Sequence, residues 1–181
     1  MNEDPREAFD RRVFDQLERA GVPFCLIGGV AVSCHAPARY TRDVDVLVMD
    51  SRVLQPSFWS GAGLERLEIR QGDGDDPLAG LVRIEDGVRH DVVLGKGYAA
   101  QFALDTRISL PGLLCPVASA LGLILLKLEA GSPRDAFDII AILDSARLSE
   151  GRDLLPEVEA KLPLLSRDAR DFHARLEAFR R

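Results

Sequence analysis

Residues 24–49 read FCLIGGVAVSCHAPARYTRDVDVLVM and contain the clearest structural pattern of the chain. An apolar run over 24–27 stops at Gly28 and Gly29, and a segment of small residues follows it. Asp43 and Asp45 then open a second apolar run. This order predicts a strand, a glycine turn, a short helix over 30–35 and a second strand.

The two aspartates of this stretch predict a metal site. Because side chains alternate along a strand, Asp43 and Asp45 point the same way at the start of an apolar segment. Adjacent carboxylates repel each other, and each is costly beside a core unless a cation neutralises it. Hard oxygen ligands of this kind suit Mg²⁺ best, with Mn²⁺ as the second candidate.

The glycine pair, followed by Asp43-x-Asp45 at the start of a strand, resembles the nucleotidyltransferase superfamily of DNA polymerase β. Within it the chain is most similar to the minimal nucleotidyltransferases and the AbiEii-type toxins. That subgroup also tends to carry a lysine helix followed by an R-D-x-x-D segment. Here Lys127 is followed by R-D-A-F-D at 134–138, so the resemblance spans most of the chain.

The resemblance implies an α/β fold with a small mixed β-sheet, covering helices and a helical C-terminal part. We expect a catalytic core over 1–112 and a helical region over 113–181 that packs on it. Strand-like runs over 81–85 and 88–94 flank Asp86 and Gly87, which predicts a hairpin with a two-residue type I′ turn. That hairpin carries Asp91.

The resemblance also implies the roles of the site residues. In the superfamily the D-x-D pair holds two metal ions, and a third aspartate on a neighbouring strand completes the site and activates the acceptor hydroxyl. Here the pair is Asp43 and Asp45, and the third is Asp91 in R-H-D-V-V. The residues expected to bind the nucleotide are Gly28, Gly29, Ser33, Lys127 and Arg134. Backbone N–H groups at a glycine turn before a helix can approach a triphosphate closely.

The segment around Lys127 leaves alternatives open. Residues 117–130 predict an apolar helix that ends at Gly131, and Lys127 is its one cation that looks buried. Ser132 and Asp135 predict the capped start of the next helix, so Asp135 can be a cap and nothing more. Arg134 can equally pair with Asp138 four residues on.

Further elements follow from local patterns. Asp4 and Pro5 predict the start of an amphipathic helix that ends at Gly21. Residues 64–70 alternate like a strand, and the acidic run at 71–77 reads as a solvated loop. Before the first aspartate, Arg39 and Thr41 match the R-x-T-x-D-x-D form of the resembled superfamily, although Arg39 can be a surface ion-pair partner.

The composition limits the classes of protein. The chain is 46% hydrophobic and 29% charged, and its net charge of -6 argues against nonspecific coating of nucleic acid. No apolar run approaches the roughly 18 residues that a membrane span needs, and the acidic start is unlike a signal peptide. We therefore expect a cytoplasmic protein with no membrane segment. The three cysteines are expected to be buried thiols, namely Cys25, Cys34 and Cys115.

The predicted function is metal-dependent transfer of a nucleoside monophosphate from an NTP to a hydroxyl. The acceptor stays open among a tRNA end, a protein side chain and a small molecule, and an antitoxin-like partner is possible for the resembled toxins. His90-Asp91 also invites comparison with HD phosphohydrolases, which need further histidines; His35 and His173 are the others. A third possibility is a catalytically silent binding or regulatory module, against which the three retained carboxylates count.

Overall fold

The computed structural model describes residues 10–37, 41, 43–72 and 78–180, with side chains up to residue 177. These residues form a mixed five-stranded sheet with helices, which confirms the α/β prediction. The strands are β1 (Phe24–Ile27), β2 (Asp43–Val48), β3 (Leu67–Gln71), β4 (Gly80–Ile84) and β5 (Arg89–Leu94). The α-helices are α1 (Arg11–Arg19), α2 (Gly28–His35), α3 (Pro56–Trp59), α4 (Gly97–Asp105), α5 (Ala120–Ala130), α6 (Pro133–Glu150), α7 (Leu155–Lys161) and α8 (Arg167–Arg180). Two 3₁₀ turns lie at Ser51–Leu54 and Leu162–Leu164.

The order of the strands across the sheet is β1-β2-β5-β4-β3. β2 and β5 are parallel, and the other neighbours are antiparallel. The register pairs Asp45 with Asp91 and Asp43 with Arg89. Residues that pair across strands share one face of the sheet, so the three predicted aspartates lie on a common face.

Helices cover both faces of the sheet. On one face lies α1, whose buried Phe14 ring stacks on Phe24 of β1. On the opposite face, Cys25 Sγ lies 3.9 Å from the carbonyl oxygen of Ala103 in α4, and α5 packs against α4 and α2. The sheet therefore has two different environments, and the aspartates belong to the face with α4 and α5.

Helix α1 begins at Arg11. Asp10 is its N-cap, with Oδ1 accepting from the backbone N–H of Arg12 at 3.0 Å. An aspartate at this position satisfies a helical N–H that otherwise has no partner. The predicted cap at Asp4 and Pro5 lies outside the described residues.

Helix α5 begins at Ala120 and not at Val117. Ser119 caps it by accepting from the N–H of Gly122 at 3.1 Å, and Val117 instead pairs with Ile108 through two backbone hydrogen bonds of 2.8 Å. The serine and the β-branched valine explain the difference, because each favours the conformation that it has here. Gly131 ends the helix with a φ of 65°, as predicted.

The predicted two-residue type I′ turn between β4 and β5 is wrong. The last ladder pair joins Ile84 and His90, so the connection is longer than two residues. Among the described residues only glycines have a positive φ, and a type I′ turn needs one at Asp86 too. Asp86 instead accepts hydrogen bonds from the backbone N–H groups of Glu65 and Arg66 at 2.6 and 3.2 Å.

The remaining elements match the predictions in part. The strand expected over 64–70 is Leu67–Gln71, and α4 was not predicted. Cys25 and Cys115 are buried thiols as expected, whereas Cys34 is only half-buried. Burial raises the pKa of Cys25 and of Cys115 to about 12. Within the described part of the chain, no helix combines the length and the apolar character that crossing a bilayer requires.

Candidate active site

Three carboxylates meet on the α4 and α5 face of the sheet. Asp43 and Asp45 come from the start of β2, and Asp91 comes from β5 directly beside Asp45. Asp91 is buried, with 7% of its surface exposed, whereas the Asp43 side chain is 37% exposed. The sequence therefore predicted correctly that these three residues come together on one face.

Asp45 is the carboxylate that carries the largest electrostatic cost. Burial, followed by the charges of Asp91 and Asp43, raises the pKa of Asp45 to about 6. Lys127 and Arg89 act in the opposite direction but do not cancel the effect. A carboxylate under such a cost is stabilised by a cation placed beside it.

Two arginines hold Asp91, and sequence reasoning missed both as site residues. Arg83 donates from Nε to Oδ1 at 3.0 Å and from Nη2 to Oδ2 at 3.2 Å. Arg89 makes the same pair of contacts at 3.2 and 2.7 Å. Burial raises the pKa of Asp91, but these hydrogen bonds outweigh it and hold the pKa below its ordinary value.

The ladder between β4 and β5 explains how Arg83 reaches the site. It pairs Arg83 with Asp91 directly, so a correct hairpin register would have placed Arg83 there. Arg89 lies two residues before Asp91 on the same strand face, and its Nε also lies 3.6 Å from Asp43 Oδ1. Arg89 thus links Asp91 with Asp43, and Asp45 lies between them in the ladder without an arginine contact among the described residues.

The donor set fits a divalent cation at the Asp43 and Asp45 pair. Both side chains offer hard carboxylate oxygens, and the raised pKa of Asp45 marks negative charge that its surroundings do not balance. Asp91 differs because its oxygens are occupied by the two arginines. Among the described residues, no three acidic, histidine or cysteine side chains are close enough to share an ion. The pair therefore fits, and the third carboxylate would have to leave its arginines to join.

The glycine pair forms the first turn of α2, so the helix begins two residues earlier than predicted. Gly28 has a φ of 64°, and a Cβ built there would lie 1.9 Å from Asp45 Oδ2. Only glycine allows both features, so Gly28 brings the helix start against the carboxylate. Ile27 precedes the helix and provides no side-chain cap, which leaves the first N–H groups suited to an anion.

The remaining residues of this stretch have local roles. Ser33 Oγ donates to the Gly29 carbonyl oxygen at 3.1 Å, within its own helix, and this contact gives no sign of a phosphate ligand. Thr41 Oγ1 donates to the Asp43 carbonyl oxygen at 3.3 Å and so steadies the entry to β2. Arg39, which matches the same R-x-T-x-D-x-D form, lies outside the described residues.

Lys127 forms a buried ion-pair network with two aspartates of α6. Its Nζ donates to Asp138 Oδ2 at 2.7 Å and to Asp135 Oδ1 at 2.9 Å. Asp135 also closes the capping box with Ser132, so it does more than cap the helix. Arg134 is exposed on the first turn of α6.

A pocket of about 320 Å³ extends from Asp45 to Lys127. Its polar ends are Asp45 with Gly28 on the sheet side and Lys127 with Asp135 on the helical side. The walls between them are mainly apolar, and Arg134 is not among the residues that line it. The described geometry therefore brings Lys127 to the site and leaves Arg134 outside it.

His90 faces away from the cluster, as strand alternation predicts. It is fully buried, its Nε2 accepts from the backbone N–H of Asp10 at 3.2 Å, and its Nδ1 lies 2.9 Å from the Val88 carbonyl oxygen. His35 Nε2 bonds instead to the carbonyl oxygen of Ala118. These partners give His90 and His35 structural roles, which disfavours the HD phosphohydrolase alternative.

Comparison with solved structures identifies the architecture. The solution structure of the antibiotic-resistance factor ANT(2'')-Ia matches with a TM-score of 0.55 at 14% identity, over 98% of this chain and 97% of that one. The crystal structure of ANT(2'')-Ia with adenylyl-2''-tobramycin matches with a TM-score of 0.53 at 15% identity, over 91% and 95%. The chain has the nucleotidyltransferase fold.

Other comparisons add less. A nucleotidyltransferase-like protein from Paracoccidioides brasiliensis matches with a TM-score of 0.46 at 19% identity, over 76% of this chain and 73% of its own. No protein-family model and no curated protein match the chain. The nucleotidyltransferase fold predicted from residues 24–49 is thus confirmed, while the AbiEii-type subgroup stays a prediction.

Proposed function

We propose that this chain is a metal-dependent nucleotidyltransferase that moves a nucleoside monophosphate from an NTP to an acceptor hydroxyl. The observation that carries the proposal is the cluster of Asp43, Asp45 and Asp91 on one face, with Gly28 packed against Asp45. It unites an anion-binding helix start with carboxylates that suit a cation. Nucleotidyl transfer needs these two features side by side.

The NTP phosphates are proposed to lie at the start of α2, where no side chain caps the first backbone N–H groups. Asp43 and Asp45 would hold Mg²⁺, or Mn²⁺, beside them. When bound, the metal neutralises phosphate charge and lowers the cost of forming an attacking alkoxide. The pocket that ends at Lys127 offers room for the nucleoside, and the Lys127 ammonium group, paired with Asp135 and Asp138, forms part of its far wall.

Asp91 is the proposed partner of the acceptor hydroxyl. The hydroxyl oxygen forms a bond to the α-phosphorus of the NTP, and the bond from that phosphorus to the bridging oxygen breaks. Pyrophosphate leaves, and the hydroxyl proton passes to Asp91 and then to solvent. Because its pKa is lowered, Asp91 is a weak base, so its main contribution is to orient the hydroxyl and accept the proton late.

One observation favours the alternative of a silent binding or regulatory module. The arginine pair already neutralises Asp91, which is what a protein without turnover would tolerate. Such a module would still bind NTP at α2 without releasing pyrophosphate. Turnover, and not binding, therefore distinguishes the two possibilities.

The test is incubation of the full chain with each labelled NTP and Mg²⁺, in turn with total tRNA, cell protein, small-molecule extract and tobramycin. Tobramycin belongs in the panel because ANT(2'')-Ia was crystallised with its adenylylated form. We expect one fraction to take up label, with pyrophosphate released in equal amount. Gly29→Val is the matched variant, and it should weaken NTP binding because a side chain blocks backbone approach. Binding of NTP with no transfer in any fraction would favour the silent module.

A further inference from the structure

The direction of attack sets the acceptor side of the site. The phosphates lie at the start of α2, which follows β1, and the strand order then continues β2, β5, β4 and β3. In phosphoryl transfer the attacking and leaving oxygens are roughly in line. If pyrophosphate departs on the α2 side, the acceptor approaches over β5 and β4. This step rests on the proposed function.

Arg83 and Arg89 are the cations on that approach. Their side chains are 22% and 34% exposed, so both reach solvent while they hold Asp91. Each uses Nε and Nη2 for Asp91. Within the described residues, no hydrogen bond uses the Nη1 group of either arginine. Arg89 therefore retains a donor directed away from Asp91, and the Nη1 group of Arg83 has only Glu68 Oε2 near it, at 3.9 Å. The planar fork of each arginine suits phosphate oxygens.

The other acidic neighbours of these two guanidinium groups lie beyond hydrogen-bond distance. Glu68 lies 3.9 Å from Arg83, but it binds Arg70 at 2.6 Å. Asp43, the second acidic neighbour of Arg89, belongs to the proposed metal pair. Asp91 is the one carboxylate among the described residues that hydrogen-bonds both arginines, and the outer edge of each guanidinium is left for an incoming group.

We propose that the acceptor is an anionic hydroxyl compound, whose phosphate group is bound by Arg83 and Arg89 next to Asp91. A polycationic acceptor such as an aminoglycoside would meet like charges here, which disfavours its binding. A phosphate beside a hydroxyl occurs both in the end of an RNA chain and in a phosphorylated metabolite. The shared chemistry is the phosphate, and the experiment separates the two sources.

The binding arm of the test uses inorganic phosphate as the probe. The full chain is saturated with Mg²⁺ and a non-hydrolysable NTP analogue, and phosphate binding is followed by thermal shift. We expect Arg83→Gln and Arg89→Gln each to weaken phosphate binding about tenfold, since each removes a charge-assisted contact. Arg83→Lys should lie between Arg83→Gln and the parent because it keeps the charge without the fork. In each single variant the other arginine still binds the buried Asp91 carboxylate, so we expect the protein to fold.

The matched control is Arg52→Gln. Arg52 binds Asp50 through the same Nε and Nη2 contacts, at 3.0 and 2.6 Å, on an exposed turn. It should bind phosphate as the parent does. Equal phosphate binding by the parent, Arg83→Gln and Arg89→Gln would overturn the proposal.

The transfer arm identifies the source of the acceptor. Cell extract is separated by anion exchange, and label from the NTP should appear in the retained fraction. If ribonuclease treatment removes the label, the acceptor is RNA. If the label survives in material of low mass, the acceptor is a phosphorylated metabolite. Either result supports the proposal. Label confined to unretained or polycationic material would overturn the proposal and leave the proposed function intact. A folded protein that transfers no label to any fraction would contradict the function itself.

Discussion

His90 and Asp91 are neighbours on β5, yet they lie in opposite environments. His90 is fully buried on the α1 side, where its ring packs edge-on against Phe14. Asp91 lies on the other face, between two guanidinium groups and beside Asp45. Two adjacent positions of β5 therefore differ in role: His90 supports the fold, and Asp91 belongs to the proposed active site. A polar side chain in a buried strand indicates a site only when the opposing strands bring partners to the same face.

The largest expected difference between these neighbours is in transfer. We expect Asp91→Asn to lower the rate of label transfer roughly a thousandfold, as loss of a proton acceptor typically does. NTP binding should persist, because Asp43, Asp45 and the start of α2 remain. The measurement is single-turnover transfer alongside NTP-dependent thermal stabilisation.

His90→Leu is the control on the same strand, with its transfer rate corrected for the folded fraction. It should transfer label at the parent rate, because His90 faces away from the carboxylates. An active Asp91→Asn beside an inactive His90→Leu would contradict the division of the strand into two faces.

The second expected difference is in stability. The pKa of Asp45 is raised to about 6, so the folded state prefers the protonated acid. The resulting cost is absent below pH 4 and grows as the pH rises towards 6, above which it is fully present. We expect Asp45→Asn to stabilise the metal-free protein by about 3 kcal/mol at pH 7.5 and to abolish transfer.

Urea unfolding in the presence of a chelator, from pH 4 to pH 8, measures this effect. Parent and Asp45→Asn should converge at the acidic end and separate towards neutral pH. Curves that stay parallel would show that the cluster does not strain Asp45. Added Mg²⁺ should narrow the gap at neutral pH by stabilising the parent alone.

The sequence predicted the parts of the site that depend on local pattern. Alternation placed Asp43 and Asp45 on one face, and the glycine pair marked the start of α2. It missed Arg83, because that contact depends on the register of a hairpin whose turn was predicted wrongly. Asp86 binds the backbone of a distant loop and so sets the connection, which a local turn rule does not include.

Longer-range features were harder to predict. Lys127 was recognised as a buried cation, but its two aspartate partners come from the next helix and form only when α5 and α6 pack together. The start of α5 was misplaced because Val117 pairs with a residue outside the helix. The division of the chain at residue 112 stays a prediction, and α5 packs directly on α4 across it.

The smallest expected effect concerns the α1 side of β5. Burial lowers the pKa of His90, so the folded state holds it neutral. A histidine with a lowered pKa contributes stability that is complete above its ordinary value of 6.5 and is lost as the pH falls below it. This dependence is opposite in sign to that of Asp45 over the same range.

His90→Leu leaves the N–H of Asp10 without its partner, and we expect a loss of about 2 kcal/mol in the free energy of unfolding at pH 7.5. Between pH 7.5 and pH 5 the variant should approach the parent, because leucine has no proton to gain. A gap that widens on acidification would show that His90 carries a charge in the folded protein, and the face opposite the carboxylates would then not be a plain core.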